Sequence, residues 1–279
     1  MRTPRNVGLL ALPSLAGLAA AQTLVIPPAN ESVQGTSSVV TMFNSAARSA
    51  QWVIPGSDLA LAAGFNRIEG FTTRTRAGGT VPATTQVYAN YDVYVGELAV
   101  PLGASLNPNF ADNVLPGTEV QVRAGSLAIP AGSFPTGSAP NAFGTVVVDF
   151  NVAPFTFDTS KNYAITVRHT GNGASSPGMD ANSNAGNYRG MFVASYTGTT
   201  STSNANYTIT RLHLGSGGCY ANCDGSTTAP VLNVQDFGCF LTRYAAGEAY
   251  ANCDGSTTPP VLNVQDFGCF LTKYAAGCP

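Results

Sequence analysis

Charge is the first thing this chain has little of. Charged side chains make up 10% of it, 13 Lys and Arg against 15 Asp and Glu, and no stretch gathers the basic ones into a cluster. That excludes nucleic acid as a partner, because a phosphate backbone is held by a concentrated basic surface. Histidine is scarcer still, with two residues, His169 and His213. Neither lies in an H-E-x-x-H run and no G-x-S-x-G elbow occurs, so a zinc hydrolase or an elbow-type serine hydrolase has nothing to rest on. Both histidines are expected to be structural, at strand ends. Cysteine is missing from the first 218 residues. A bilayer-spanning run is missing too, since Val7 to Ala20 is interrupted by Pro13 and falls short of the ~20 apolar residues a spanning helix needs.

What the N-terminus does contain is Arg2 and Arg5, the apolar stretch, and Ala19-Ala20-Ala21 before Gln22. This is the pattern of a secretory signal peptide with an A-x-A cleavage site, expected over residues 1–21. The mature chain would then be exported, would keep about eleven basic and fifteen acidic side chains, and would carry no membrane span. Export also makes disulfides permissible.

From Gln22 to Leu214 the sequence is rich in Gly, Ser, Thr, Asn and Pro, and short β-branched and aromatic runs alternate with turn signals. Strands are expected near 38–44, 51–54, 67–75, 87–98, 118–124, 145–150, 163–169, 191–196 and 207–214. Alternation is clearest at Tyr163, Ile165 and Val167 and at Val120 and Val122. A helical turn is expected near 109–113, and the polar stretch 171–190 reads as one long loop. The expected fold is therefore mainly β, an antiparallel jelly-roll-like sandwich over 22–214, joined by a short linker at 215–218 to the tail.

Chemistry is hard to find in that region. Its ten carboxylates (Glu31, Asp58, Glu69, Asp92, Glu97, Asp112, Glu119, Asp149, Asp158 and Asp180) show no paired spacing such as E-x-D-x-E, so they read as scattered surface and turn acids. Catalysis has no support. Tyr88 and Tyr94, if exposed, would offer stacking faces to a polysaccharide; packing against the core is the expected alternative, and Trp52 is expected in the core.

The tail is written twice. YANCDGSTTAPVLNVQDFGCFLTRYAAG (Tyr220 to Gly247) returns as YANCDGSTTPPVLNVQDFGCFLTKYAAG (Tyr250 to Gly277), changed only at Ala229/Pro259 and Arg243/Lys273. Each copy opens with short oxygen-bearing residues and closes on an Asp that enters an amphipathic run. Val234, Phe237, Phe240, Leu241 and Tyr244 recur at spacings of three and four, the mark of a helix with one buried stripe, and Gly247 stops it. All six cysteines lie here. Six allow fifteen pairings, and sequence alone does not choose among them. Repeat symmetry favours Cys223 with Cys239 and Cys253 with Cys269, leaving Cys219 and Cys278 to clasp the ends. Zinc is disfavoured, because the tail has no histidine and no C-x-x-C.

An oxygen-rich loop followed by one helix, done twice, resembles the cysteine-rich, GC-type dockerin domain over 219–279. The resemblance implies a small all-α domain of tandem half EF-hands, with Asn222, Asp224, Ser226, Asn233 and Asp236 holding one calcium ion and Asn252, Asp254, Ser256, Asn263 and Asp266 a second. It also implies a protein partner, a cohesin-like module or cell-surface scaffold. Gln235, Thr242 and Arg243 with their copies Gln265, Thr272 and Lys273 lie off the apolar stripe and are the expected docking face. Two departures stand against the pattern: the loop is three residues longer than an EF-hand loop, and Gly225 comes two places early. Two other readings stay open. The chain could deliver a polysaccharide-binding or polysaccharide-degrading domain, or it could be a structural surface protein whose tail is an inert knot or a sorting signal.

Overall fold

A computed structural model describes residues 22–62, 65–201, 206–215, 219–226, 229–254, 256 and 259–278. The expected leader at 1–21 and residues 216–218 of the expected linker lie outside these; Gly215 ends a strand. In chain order the strands are β1 (Gln22–Ile26), β2 (Ser37–Val39), β3 (Arg48–Ile54), β4 (Arg67–Thr73), β5 (Gln86–Tyr88), β6 (Tyr91–Glu97), β7 (Val120–Arg123) and β8 (Leu127–Ile129). There follow β9 (Val148–Asp149), β10 (Phe155–Thr156), β11 (Tyr163–His169), β12 (Met179–Ser183), β13 (Gly190–Val193), β14 (Asn206–Thr208) and β15 (Thr210–Gly215). One helical turn, α1 (Gly56–Leu59), interrupts them, and α2 (Val234–Ala245) and α3 (Val264–Ala276) form the tail. The protein is mainly β, as its turn-rich sequence implies. Among the described residues no helix is long and apolar enough to cross a membrane.

All strand pairings are antiparallel and they make two larger sheets. One runs β1-β15-β4-β10 with β9 also paired to β4, and the other runs β13-β3-β11-β6-β7; smaller sheets join β14-β12-β2 and β5-β8. The two larger sheets bury a common cluster, in which Trp52 of β3 meets Phe71 of β4 edge-on at 5.9 Å. On β11 the side chains of Tyr163, Ile165, Val167 and His169 point into it, as period-two alternation requires. Of the intervening residues, Ala164 and Thr166 are buried as well. Segment 98–115 covers the outer face of the second sheet, and Leu98, Leu106, Phe110 and Val114 close over Val53 and Ala164. Under that cover Gln51 bonds Thr166 Oγ1 at 3.0 Å and accepts from Asn113 at 3.0 Å, so the buried polar groups keep partners.

Three expectations need correction. The single strand expected at 87–98 is two strands of different sheets, broken after Tyr88; Tyr88 and Tyr91 both end in the core at 0% exposure. Only Tyr94 is partly exposed, so the paired sugar platform does not form. The loop expected at 171–190 contains β12. Its Met179 and Ala181 face the core, while Asp180, fully buried, accepts from Arg74 Nε at 2.9 Å and from the Gly35 amide at 3.0 Å. The local composition conceals this strand because its ion-pair partner lies more than a hundred residues away. Gly35 itself is obligatory there, since a Cβ would fall 2.1 Å from the Ala181 carbonyl oxygen. Finally, β1, β8 and β10 lie outside the expected strands, and those expected at 38–44 and 145–150 shrink to Ser37–Val39 and Val148–Asp149.

His169 illustrates how a scarce titratable group is used. Its Nε2–H donates to the Thr41 carbonyl at 2.7 Å, Nδ1 accepts from the Gly171 amide at 3.0 Å, and its ring stacks on Tyr91. Burial pushes its pKa down to about 4, against an upward pull from the Thr41 carbonyl. The neutral ring is therefore required by the fold. The unfolded chain takes up a proton below about 6.5 and the native state does so only near 4, so stability falls as pH drops through that window, by about 3 kcal/mol in total. Denaturant unfolding at pH 7 and pH 4.5 should show this loss, and His169→Gln should remove about that much of the pH dependence.

Candidate cation loops of the C-terminal repeat

The tail is built on a pseudo-twofold arrangement. Phe240 of α2 and Phe270 of α3 stack at 4.3 Å and are fully buried, with Phe237, Tyr244, Phe267 and Tyr274 around them. Tyr220 and Tyr250 stack at 4.8 Å across the axis, and each hydroxyl donates to the other's backbone carbonyl. Disulfides join Cys223 to Cys239, Cys253 to Cys269 and Cys219 to Cys278, the pairing favoured by repeat symmetry.

In the first copy the chain from Asn222 to Asn233 folds back on the N-terminus of α2. Asn233 caps that helix, its side chain accepting from the Gln235 amide at 2.7 Å. Asp236 closes the capping box by accepting from the Asn233 amide at 2.8 Å with Oδ2. Its Oδ1 accepts from the Asp224 amide at 3.2 Å, so one buried carboxylate holds both ends of the loop. Asp224 Oδ1 accepts from the Ser226 amide at 2.9 Å, and Ser226 Oγ donates to the Val231 carbonyl at 3.0 Å. Asn222 Nδ2 donates to the Ser226 carbonyl at 2.8 Å, which directs Oδ1 the other way, into a buried position with no donor.

The second copy repeats this. Asp266 accepts from Asn263 at 2.8 Å and Asp254 at 3.3 Å, Asn263 caps α3 through Gln265 at 2.7 Å, and Ser256 bonds Asp254 and Val261. Asn252 Oδ1 is again buried without a donor. Burial raises the pKa of Asp266, but the amides of Asn263, Asp254 and Cys253 together with the Asp254 side chain outweigh it, and the carboxyl is held below its ordinary value.

Of the expected ligands, the structure brings together Asn222, Asp224, Ser226 and Asp236, and likewise Asn252, Asp254, Ser256 and Asp266. Asn233 and Asn263 serve as helix caps, with their side-chain oxygens turned to backbone amides. Two buried acceptors lacking donors at equivalent points of both loops suit a hard cation, which is bound by oxygen and requires no proton from it. Among the described residues no set of three or more His, Cys, Asp or Glu converges, so neutral oxygens would have to complete the shell.

The helix faces differ from the expected stripe. Val234 is 80% exposed and Leu241 39%. Val234, Phe237, Leu271 and Tyr274 line an open apolar groove of about 280 Å³. Gln235, Thr242, Gln265 and Thr272 are exposed. Arg243 lies over the Tyr250 ring at 4.9 Å and bonds Glu248, and Lys273 lies over Tyr220 at 4.4 Å, so each cation reaches across to the other copy. Neither cross-axis contact is visible in the helical periodicity; the capping box was, as Asn-x-x-Asp ahead of an apolar run.

In the β region six of the ten carboxylates are engaged by Arg, Lys or Tyr side chains. Asp180 pairs with Arg74, Asp149 with Arg123, Glu97 with Lys161 and Glu31 with Arg211, while Asp58 accepts from Tyr188 at 2.9 Å and Asp92 from Tyr196. No family model, curated protein or solved structure matches the chain.

Asp236→Ala would leave the amides of Asn233 and Asp224 without their acceptor and open the capping box of α2. It is expected to cost about 2–3 kcal/mol in chelator-treated, oxidised protein, measured by thermal unfolding of the tail. Asp224→Ala, which removes an exposed carboxylate bonded to one local amide, should cost under about 1 kcal/mol in the same assay.

Proposed function

We propose that the C-terminal repeat is a dockerin-like module that binds two calcium ions and docks an exported, non-catalytic β protein to a cohesin-like partner or cell-surface scaffold. The observation that carries this reading is the pair of donorless, buried oxygens, Asn222 Oδ1 and Asn252 Oδ1, beside two carboxylates in each of two near-identical loops. Asn222, Asp224, Ser226 and Asp236 would hold one ion and Asn252, Asp254, Ser256 and Asp266 the other. Bound calcium would supply charge neutralisation for the two acids and a tie between loop and helix. With two carboxylates per loop, affinity belongs in the weak extracellular range, Kd about 10⁻⁴ to 10⁻³ M.

Docking would use the helix faces that α2 and α3 leave uncovered. The groove of Val234, Phe237, Leu271 and Tyr274, edged by exposed Gln235, Thr242, Gln265 and Thr272, favours an apolar contact with a polar rim. Arg243 and Lys273 serve the module's own axis, which lowers their weight in that face. Pseudo-twofold symmetry would let a partner bind in either of two orientations. For the β region we retain the jelly-roll-like reading and assign no catalytic role: Asp180 and Asp149 are held in ion pairs, and His169 is buried and neutral.

Calorimetric titration of the full oxidised chain with calcium chloride checks the proposal. Two sites of millimolar to submillimolar affinity are expected, each lost separately in Asp224→Ala and Asp254→Ala. No heat up to ~10 mM calcium, well above the weak range, would remove the metal from the reading.

A further inference from the structure

Cys223 stands between Asn222 and Asp224, the residues that open the first loop, and is bonded to Cys239 on α2. Cys239 lies three residues beyond Asp236, on the same side of the helix as the carboxylate that closes the loop. Cys253 and Cys269 repeat the arrangement around Asn252, Asp254 and Asp266. An EF-hand loop is braced by a helix at each end. Here the residues before the first loop make only a turn, with the Asn222 amide bonded to the Cys219 carbonyl at 2.7 Å. Apart from the disulfide, the opening of each loop is tied to its closing carboxylate chiefly by a long backbone hydrogen bond, 3.2 Å from Asp224 and 3.3 Å from Asp254. The covalent bond therefore stands where the missing helix would brace the loop.

We propose that the Cys223–Cys239 and Cys253–Cys269 disulfides are positioning elements of the two cation loops, so that each loop's calcium affinity depends on the oxidation state of its own disulfide. This rests on the calcium reading above. Reduction proceeds by thiol–disulfide exchange: one external thiolate attacks a cysteine sulfur, forming a mixed disulfide and releasing the other cysteine as thiolate. A second external thiolate then releases the first cysteine, and the reagent departs as its own disulfide, having given two electrons to the pair. With the bond open, ordering the loop around a cation must repay the chain entropy that the bond had already removed. Cys219–Cys278 spans the ends of the domain, 59 residues apart, and encloses no single loop. Its loss should lower stability without separating the two affinities. Linkage requires the converse, that calcium protects the two loop disulfides by the factor by which they strengthen its binding.

The near-identity of the copies supplies an internal control. In the full chain, Cys223→Ser/Cys239→Ser should keep one calcium site at wild-type affinity and weaken the other by about tenfold or more. Cys219→Ser/Cys278→Ser should keep both sites equal. Two unchanged sites in the first variant, or equal weakening of both sites in the two variants, would overturn the coupling and leave calcium binding standing. No calcium heat in the oxidised wild type would instead overturn the calcium reading itself. If the first variant loses its helical circular dichroism, the wild type decides by its reduction in glutathione buffers with and without calcium. Protection of two of the three disulfides by about tenfold supports the coupling, and identical reduction curves overturn it.

Discussion

A buried carboxylate that takes backbone amides from both ends of a loop is the constraint on which the tail depends. Asp236 accepts from Asn233 at the helix start and from Asp224 near the loop opening, and Asp266 does the same in the second copy. Placing a charge at 0% exposure is costly unless hydrogen bonds replace the lost water. Once they do, the same carboxylate closes the capping box and ties the loop opening at Asp224 to the helix start. Helix start and loop opening are thus joined by one interaction made twice.

Around that constraint the tail compensates for its small size. About sixty residues bury too little apolar surface to hold a fold comfortably. Aromatic contact supplies part of the remedy, with Phe240 on Phe270 and the reciprocal Tyr220–Tyr250 pair sitting on the pseudo-twofold axis. Three disulfides supply the rest. Arg243 and Lys273, the only charged difference between the copies, cover the tyrosines of the opposite copy, and so the two halves are held by contacts that neither could make alone.

The β region uses its few charges in another way. Asp180 is fully buried, and its partners Arg74 and Gly35 come from the residue just past β4 and from the chain ahead of β2, so one ion pair gathers three distant segments. Gln51, Asn113 and Thr166 do similar work under the cover of segment 98–115. Polar side chains there are spent on closing the fold.

The sequence by itself determined whatever depends on near neighbours or on repetition. The β character followed from turn spacing, strand β11 from alternation at Tyr163, Ile165 and Val167, and the two helices from three-and-four spacing; the symmetry of the repeat favoured one set of disulfide pairs, and the tertiary structure selected it. Tertiary structure alone decided what depends on distant partners. Strand β12 was hidden because Asp180 has its cation at Arg74, and the break between Tyr88 and Tyr91 was hidden because β5 and β6 find different sheets. Val234 and Leu241, expected on the buried stripe, are exposed. Asn233, a plausible ligand by position, is a cap because its oxygen meets the Gln235 amide first. In each case the local pattern restricts what a residue can do, and the free energy of contacts made across the fold selects among the possibilities.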